Sequence, residues 1–299
     1  MSKILVTGSS GLIGIQLTRD LVKENFEVYS CYNKTKPEFG IPIELDLLKE
    51  EKIVNVLHTI KPDILIHLAA MTDVEKCEIQ KKQAILVNTN STKILAKESK
   101  KYNTFFVYVS TDYVFDGEKS LKKENEIPNP LNVYGQTKLD GENAVKKFAG
   151  QYVIVRTSTP YGFHLTKKSF PVWVKENLEL KKEISVLVDQ FTSPTYIPNL
   201  SKMIIEIIKK QIIGTIHLTG ATRISRYEFA KKIIEKLHLD EALLNPIKIQ
   251  NMKWDAIRPK DSSLDVSKAN RILENKPEKI EQSLDDFINK IKNQKEKLF

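Results

Sequence analysis

Over residues 1–155, short apolar runs alternate with stretches in which apolar residues recur at helical spacing. The apolar runs predict strands at residues 3–7, 27–32, 43–45, 63–70, 104–110 and 152–156. The stretches between them predict helices at residues 11–24, 50–61, 79–102 and 130–150. Because parallel strands need a crossover connection, usually a helix, this alternation predicts an α/β fold with a parallel sheet. Right-handed crossovers should place helices on both faces of a doubly wound sheet.

Beyond Arg156 the pattern is less regular. It predicts strands at residues 184–188 and 215–218 and helices at 198–210, 225–237 and 278–292, whereas residues 240–265 should be irregular. Ser225 and Glu228 have the spacing of a capping box at the start of one of these helices. We expect residues 1–155 to form a nucleotide-binding domain to which residues 184–220 return. Residues 156–183 and 221–299 should form a smaller C-terminal α/β lobe that binds substrate.

Composition and charge say more about the partners of the protein than about its function. The chain has 47 basic and 38 acidic residues, a net charge of +9, but the basic residues are scattered lysines with no arginine-rich run. We therefore predict a solvated surface and no nucleic-acid partner. Cys31 and Cys77 lie far apart and form no C-x-x-C motif, which predicts reduced thiols. Without a signal-peptide pattern or a long apolar run, we expect a cytoplasmic protein with no membrane partner.

A glycine-rich segment, G-S-S-G-L-I-G at residues 8–14, follows the first predicted strand and opens the first predicted helix. Glycine allows a tight turn and lets the backbone approach a pyrophosphate closely. The helix N-terminus adds free N–H groups and a partial positive charge. In this context the segment predicts a Rossmann domain for a nicotinamide dinucleotide. The residues predicted to bind it here are Gly8, Ser10, Gly11, Leu12, Ile13 and Gly14.

The end of the second predicted strand bears on the choice of cofactor. An enzyme that uses NAD normally has an acidic residue there, which accepts hydrogen bonds from the ribose hydroxyls. This chain reads S-C-Y-N-K at residues 30–34, so it has no acid, and Asn33 and Lys34 could receive a 2′-phosphate instead. The sequence therefore favours NADPH, with NADH as the alternative.

Tyr134 and Lys138 provide the predicted chemistry. Their spacing of four residues places them on one face of a predicted helix. An ammonium beside a phenol should lower the pKa of the phenol, so that the tyrosine exchanges a proton with a carbonyl or alcohol oxygen. Thr111 ends the fifth predicted strand, at the sheet edge where ligands bind, and should hydrogen-bond to the same oxygen. The predicted catalytic residues are those of a short-chain dehydrogenase/reductase.

Over almost its whole length, the chain resembles the dTDP-4-dehydrorhamnose reductase family of extended short-chain dehydrogenases/reductases. The resemblance is carried by S-T-D-Y-V-F-D-G at residues 110–117 and P-L-N-V-Y-G-Q-T-K at 130–138. It continues through L-A-A-M-T-D-V at 68–74, R-T-S at 156–158 and S-P-T-Y at 193–196. It implies that NADPH delivers hydride to C4 of a nucleotide-linked keto-sugar while Tyr134 protonates the oxygen. The implied reaction converts dTDP-4-dehydro-L-rhamnose to dTDP-L-rhamnose.

The resemblance also implies the remaining site residues. Lys138 would bind the nicotinamide ribose, and Gly11, Leu12 and Ile13 would contact the pyrophosphate. The other cofactor-binding residues would be Asp46 and Leu47 at the adenine, and Leu68, Ala69, Ala70, Met71 and Asn88 in the cleft. The nucleotide-sugar substrate would contact Thr72, Val74, Thr111, Asp112 and Thr159.

Two positions depart from the family pattern. Thr159 stands where many members have a tryptophan that contacts the sugar, so the usual aromatic platform is absent. Gln16 stands where some bacterial members have the glutamate of a magnesium-bridged dimer. Because an amide is a poor ligand for magnesium, we predict no metal site and keep a homodimer only as a hypothesis.

Two other functions compete with keto-sugar reduction. Dehydratases of the superfamily place a glutamate directly after Thr-Asp, where this chain has Tyr113, and an epimerase would regenerate its own cofactor. Net consumption of NADPH would exclude an epimerase. The other competitor is a non-catalytic dinucleotide-binding regulatory subunit, similar to the β subunit of methionine adenosyltransferase. The retained Thr111, Tyr134 and Lys138 argue against it.

Overall fold

A seven-stranded parallel sheet forms the centre of the protein, whose computed structural model describes residues 2–164 and 166–296. The strands are β1 (Lys3–Thr7), β2 (Glu27–Tyr32), β3 (Ile41–Glu44), β4 (Ile64–His67), β5 (Phe105–Thr111), β6 (Tyr152–Thr157), β7 (Pro160–Tyr161), β8 (Ile184–Leu187), β9 (Phe191–Thr192), β10 (Thr195–Tyr196), β11 (Gly214–His217), β12 (Ile224–Ser225) and β13 (Leu244–Ile247). The order in the sheet is β11-β6-β5-β4-β1-β2-β3, and the other strands form three two-stranded pairs.

Helices cover the sheet and build the second half of the chain. They are α1 (Leu12–Lys23), α2 (Glu50–Ile60), α3 (Val74–Ile79), α4 (Lys81–Ala84), α5 (Ser91–Lys101), α6 (Val133–Phe148), α7 (Phe170–Glu179), α8 (Ile197–Lys210), α9 (Arg226–Leu237), α10 (Ser267–Ile272) and α11 (Ile280–Glu296). In the part of the chain that the structure describes, none of them has the length and apolar character that a membrane span requires.

The strand order creates a crevice at the carboxyl edge of the sheet. From β1 the chain adds β2 and β3 on one side, then crosses over to add β4, β5 and β6 on the other. Neighbouring crossovers therefore diverge between β1 and β4, the point where open α/β sheets bind ligands. The predicted doubly wound α/β fold is confirmed, and β11 lies beside β6 at the sheet edge. The proposed division into two domains stays a prediction.

Within the described residues, most buried apolar side chains belong to three large clusters, and a small fourth contains Val114, Phe115 and Leu264. One lies between the sheet and α1 and α8, and includes Leu17 and Ile204. Another lies on the opposite face against α2, α5 and α6, and includes Val145. Burial from both sides explains why every residue of β5 is buried and why the strands read as unbroken apolar runs. A third cluster packs α7, α9 and α11 around Phe229 and Phe287.

Some predicted elements were wrong. Residues 240–265 are not wholly irregular, because β13 pairs in parallel with β8. Pro246 obscured this strand in the sequence, yet a proline is tolerated at a sheet edge where its missing N–H is not needed. Helices α7 and α10 were not predicted, since short amphipathic stretches give a weak periodic signal.

The long helix predicted at residues 79–102 is divided. The helical region begins at Val74, where the Asp73 side chain accepts the Lys76 N–H and caps α3. A π-helical turn at Ile85–Asn90 then precedes α5. The preceding strand, β4, stops at His67 rather than continuing to residue 70, and Leu68, Ala69, Ala70 and Thr72 after it line the crevice.

Candidate active site

A cavity of about 890 Å³ runs along the carboxyl edge of the sheet from the glycine turn to β6. It gathers most of the site residues predicted from the sequence. Those that line it are Gly8, Ser10, Gly11, Leu12, Ile13, Gly14, Asn33, Lys34, Asp46, Leu47, Leu68, Ala69, Ala70, Thr72, Val74, Thr111, Asp112, Tyr134, Lys138 and Thr159. Met71 and Asn88 are not among its lining residues.

Gly8 and Gly14 lie where the glycine turn leaves no room for a Cβ atom. Gly8 has a φ of +70°, a conformation that favours glycine, and a Cβ on it would lie 2.8 Å from Ala69 N. A Cβ on Gly14 would lie 2.2 Å from Gly8 O. The turn is therefore packed against both its own backbone and the end of β4. It presents bare backbone and the N-terminus of α1 to the cavity, a suitable cradle for a pyrophosphate.

Asn88 supports the cavity wall from behind. Its Oδ1 accepts the Met71 N–H at 2.7 Å, and its Nδ2 donates to Met71 O at 3.1 Å and to Thr137 Oγ1 at 3.0 Å. The side chain is buried and joins the segment after β4 to α6. Its geometry is that of a positioning residue for the backbone at Met71.

The three predicted catalytic residues converge from two elements. Thr111 is the last residue of β5, and Asn132 caps α6 by accepting the Gly135 N–H at 2.9 Å, which places Tyr134 in the first helical turn. Lys138 lies one turn further along and is buried. Its Nζ donates to Val109 O at 2.8 Å and lies 4.2 Å from the centre of the Tyr108 ring.

Burial dominates the titration of Tyr134 and Lys138. It lowers the pKa of Lys138 to about 7, against an opposing effect of Glu142. Burial raises the pKa of Tyr134 above its usual value of 10, although a hydrogen bond with Thr111 opposes the shift. Our expectation of a lowered pKa for this phenol was wrong, because its desolvation outweighs the favourable interactions. Tyr134 consequently keeps its proton at neutral pH and is suited to donate it.

Asp112 ends a chain of hydroxyl groups on the substrate side. Its Oδ1 accepts from Thr111 Oγ1 at 2.9 Å and its Oδ2 from Ser158 Oγ at 2.7 Å. Ser158 Oγ lies 2.7 Å from Thr192 Oγ1, which lies 2.6 Å from Thr159 Oγ1. Because Ser158 donates its only proton to Asp112, Thr192 must donate to Ser158, and Thr159 to Thr192. Burial raises the pKa of Asp112, and these hydrogen bonds oppose that rise.

Two buried hydroxyls point to a polar ligand in this cavity. Ser110 Oγ and Thr157 Oγ1 are buried and line it, yet neither has a hydrogen-bond partner within the described residues. An unsatisfied buried hydroxyl costs free energy, so these groups are best explained by a ligand that hydrogen-bonds to them. Together with the glycine cradle, they fit a polar ligand such as a dinucleotide.

The other end of the cavity is open to solvent. Asn33 and Lys34 are exposed at its rim, and Asp46, whose Oδ1 accepts the Leu48 N–H at 3.0 Å, lies beside them. In residues 2–164 and 166–296, no group of His, Cys, Asp or Glu side chains is arranged to hold a metal. Gln16 donates instead to Asp20 Oδ2 at 2.7 Å.

The sequence analysis missed several cavity residues. Tyr113 lies edge-to-face against Tyr134, with ring centres 5.9 Å apart. The Arg226 side chain also lines the cavity, but its position just inside a capped helix gave no sign of this. A third group, His164, Thr166, Lys167 and Lys168, comes from an irregular segment with no recognisable motif.

Comparison with known proteins agrees with this geometry. A family model described as RmlD substrate binding domain matches residues 2–293. The dTDP-4-dehydrorhamnose reductase of Aggregatibacter actinomycetemcomitans is 32% identical over 284 residues, 90% of this chain and 92% of that protein. Methionine adenosyltransferase 2 subunit beta of Rattus norvegicus is 30% identical over 274 residues, 89% of this chain and 81% of that protein.

A solved structure extends the match to three dimensions. The dTDP-4-dehydrorhamnose reductase of Bacillus anthracis str. Ames, in complex with NADP, superposes with a TM-score of 0.87 and 31% identity, covering 97% of this chain and 99% of that one. The family inferred from the sequence motifs is confirmed. The chain belongs to the dTDP-4-dehydrorhamnose reductase family of NAD(P)-dependent oxidoreductases.

Proposed function

We propose that this protein uses NADPH to reduce the 4-keto group of a nucleotide-linked deoxysugar, converting dTDP-4-dehydro-L-rhamnose to dTDP-L-rhamnose. The observation that carries the proposal is that Thr111, Tyr134 and Lys138 meet in the same cavity as the glycine cradle. Reduction of a ketone needs a proton donor beside the carbonyl oxygen and a cofactor held against the carbonyl carbon. The cavity has groups suited to both tasks.

The bound dinucleotide would supply a hydride to the carbonyl carbon. The glycine turn would hold its pyrophosphate, Asp46 and Leu47 its adenosine, and Lys138 its nicotinamide ribose. Asn33 and Lys34 at the rim favour a 2′-phosphate and therefore NADPH, with NADH as the alternative. The NADP bound to the Bacillus anthracis relative supports the same choice.

The protein's own residues would direct the proton. Tyr134 is protonated at neutral pH because its pKa is raised, so its phenol can donate to the carbonyl oxygen as negative charge develops there. Thr111 donates its only hydroxyl proton to Asp112 Oδ1, and on substrate binding it would turn that proton to the same carbonyl oxygen. Lys138, on the same face of α6, would favour the phenolate that remains after the transfer. Asp112, Thr159, Thr72 and Val74 would contact the sugar nucleotide.

The direct test is oxidation of NADPH in the presence of a panel of nucleotide-linked keto-sugars, with NADH assayed in parallel. We expect dTDP-4-dehydro-L-rhamnose to be reduced fastest. Tyr134→Phe should reduce turnover at least about a hundredfold and leave the dinucleotide Kd nearly unchanged, because only the proton donor is removed. Tyr102→Phe, outside the cavity, is the control.

Two results would count against the proposal. Full turnover in the Tyr134→Phe variant would refute the assigned proton donor, and inactivity with every keto-sugar would refute the reaction. The relative from Rattus norvegicus makes a dinucleotide-binding regulatory subunit the second candidate. Dinucleotide binding without turnover, together with co-purification of an adenosyltransferase, would favour that candidate. The homodimer and the cytoplasmic location stay predictions.

A further inference from the structure

We propose that His164, Thr166 and Lys167, here called the clasp, close over the glycine turn and that Lys167 is a further ligand of the dinucleotide pyrophosphate. In this assignment Lys167 binds the phosphate and His164 positions the backbone that carries it. The inference rests on the proposed function, since the ligand is the cofactor proposed above. His164 and Lys167 belong to none of the sequence motifs and have no part in the proposed proton transfer.

His164 connects the clasp to the glycine turn through both ring nitrogens. Its Nδ1 accepts the backbone N–H of Thr166 at 3.0 Å and that of Lys167 at 2.9 Å. A nitrogen that accepts hydrogen bonds is unprotonated, so the ring proton is assigned to Nε2. Nε2 then donates to Ser10 O at 3.0 Å. One imidazole therefore fixes the backbone on which Lys167 is mounted relative to the cradle.

The ammonium of Lys167 lies over the open side of the cradle. Its Nζ is 3.9 Å from the position that a Cβ on Gly11 would occupy. Gly11 is the N-cap of α1, and the first turn of that helix contains no acidic residue. A cation held near the positive end of a helix is unfavourable on its own. The arrangement becomes favourable when an anion lies between the ammonium and the helix, as a pyrophosphate would.

Lys167 and Lys168 are adjacent but differ in whether a carboxylate neutralises their charge. Lys168 Nζ lies 2.6 Å from Glu176 Oε2. Lys167 makes no ion pair with any side chain in the described parts of the chain. Both lysines are exposed and line the cavity. Lys167 is therefore the one whose charge remains for a ligand, and Lys168 is its matched control.

The clasp is also anchored on the far side. Phe163 stacks on Phe287 with ring centres 4.7 Å apart, and Ser169 Oγ donates to Gly162 O at 2.9 Å. Phe287 belongs to the core cluster of α7, α9 and α11. The clasp is thus tied both to that cluster and to the glycine turn. Such preorganisation reduces the entropy lost on binding.

The test measures dinucleotide binding by titration calorimetry, without a sugar substrate. Lys167→Met should weaken binding of NADPH about tenfold, the effect of losing one charge-assisted hydrogen bond of about 1.4 kcal/mol. Binding of NADH should weaken by the same factor, because both cofactors carry the pyrophosphate. Lys168→Met should change either Kd less than about threefold, since Glu176 already neutralises that lysine.

His164 is tested through its coupling to Lys167. His164→Asn keeps an acceptor near Nδ1 but does not reach Ser10, whereas His164→Gln keeps a donor near Nε2 and loses the acceptor. Each should weaken dinucleotide binding several-fold. In a Lys167→Met background each should add almost nothing, because His164 acts through that lysine. A merely structural histidine would give the same loss in both backgrounds.

Several outcomes would contradict the role proposed for the clasp. An unchanged Kd in Lys167→Met, equal losses in Lys167→Met and Lys168→Met, or a loss confined to NADPH would each contradict the pyrophosphate assignment. If the wild-type protein bound no dinucleotide, the clasp would fall together with the proposed cofactor. If the protein bound dinucleotide with the expected pattern but reduced no keto-sugar, the clasp would stand and only the reaction would be wrong.

Discussion

Replacement of Lys138 by methionine tests whether burial lowers the pKa of this lysine. Its ammonium is buried, with a single backbone carbonyl, Val109 O, 2.8 Å away. The pKa of Lys138 is about 7 in the folded protein, whereas a lysine in the unfolded chain has its ordinary value of 10.5. Between these two values the unfolded state binds one more proton than the folded state. Stability must therefore rise with pH through this window.

The size of the effect follows from the shift. One proton of difference changes the free energy of unfolding by about 1.36 kcal/mol per pH unit. Because the lysine is half titrated near pH 7, the wild-type protein should gain on the order of 2 kcal/mol between about pH 7 and pH 9 through this residue. Lys138→Met removes the titrating group and should lack that gain. The penalty for the buried ammonium is complete below pH 7 and fades as the pH rises.

The assay is unfolding by urea at several pH values, with the wild-type and variant proteins compared at each. Titrating groups that do not interact with Lys138 are common to both proteins and cancel in the difference. Lys147→Met, at an exposed lysine on the same helix, controls for loss of a surface charge. If the difference in unfolding free energy between wild type and Lys138→Met did not change from pH 7 to pH 9, the reasoning about burial would be refuted.

Two further predictions concern the glycine turn and the buried ion pair between Glu142 and Arg156. Gly14→Ala should abolish dinucleotide binding or unfold the turn, because its Cβ would lie 2.2 Å from the backbone oxygen of Gly8. Gly150→Ala is the control, since its Cβ would meet nothing closer than 3.9 Å, and it should leave the dinucleotide Kd unchanged. Glu142→Gln should destabilise the protein by about 3–5 kcal/mol in thermal or urea unfolding, because it leaves the buried Arg156 guanidinium, now bound at 2.7 and 2.8 Å, without its counter-charge. Lys146→Gln, which removes the more exposed partner at 3.8 Å, should cost less than about 1 kcal/mol.

The sequence was most informative where one physical cause dominated. The bounds of β1 and β2 are those predicted, because buried parallel strands are rich in apolar and β-branched or aromatic residues. The cavity residues at the ends of β1, β4 and β5 were also predictable, since a parallel sheet brings the carboxyl ends of its strands to one edge. Thr111 and Tyr134 could be placed together on that ground although they are far apart in sequence.

Tertiary context decided what the sequence could not. The spacing of Tyr134 and Lys138 places them on one helix face, but it does not reveal that Lys138 would be buried against Val109 O. Desolvation therefore set the direction of both pKa shifts. Asn88 was expected at the cofactor, yet its hydrogen bonds to Met71 depend on how the segment after β4 folds back. His164 and Lys167 carry no motif, and their relation to the glycine turn exists only in three dimensions.

Thr159, which replaces the tryptophan of the family pattern, lies in the cavity in an unusual backbone conformation. Its φ is +42°, a strained conformation for a β-branched residue that costs about 1–3 kcal/mol and persists only where the surroundings enforce it. Here the surroundings include its hydrogen bond to Thr192, which continues through Ser158 to Asp112. The wall therefore presents linked hydroxyls where an indole would present an apolar face. Asp112 also accepts from Thr111, which hydrogen-bonds to Tyr134, so the residues proposed to face the sugar and the proposed proton donor belong to one hydrogen-bond network.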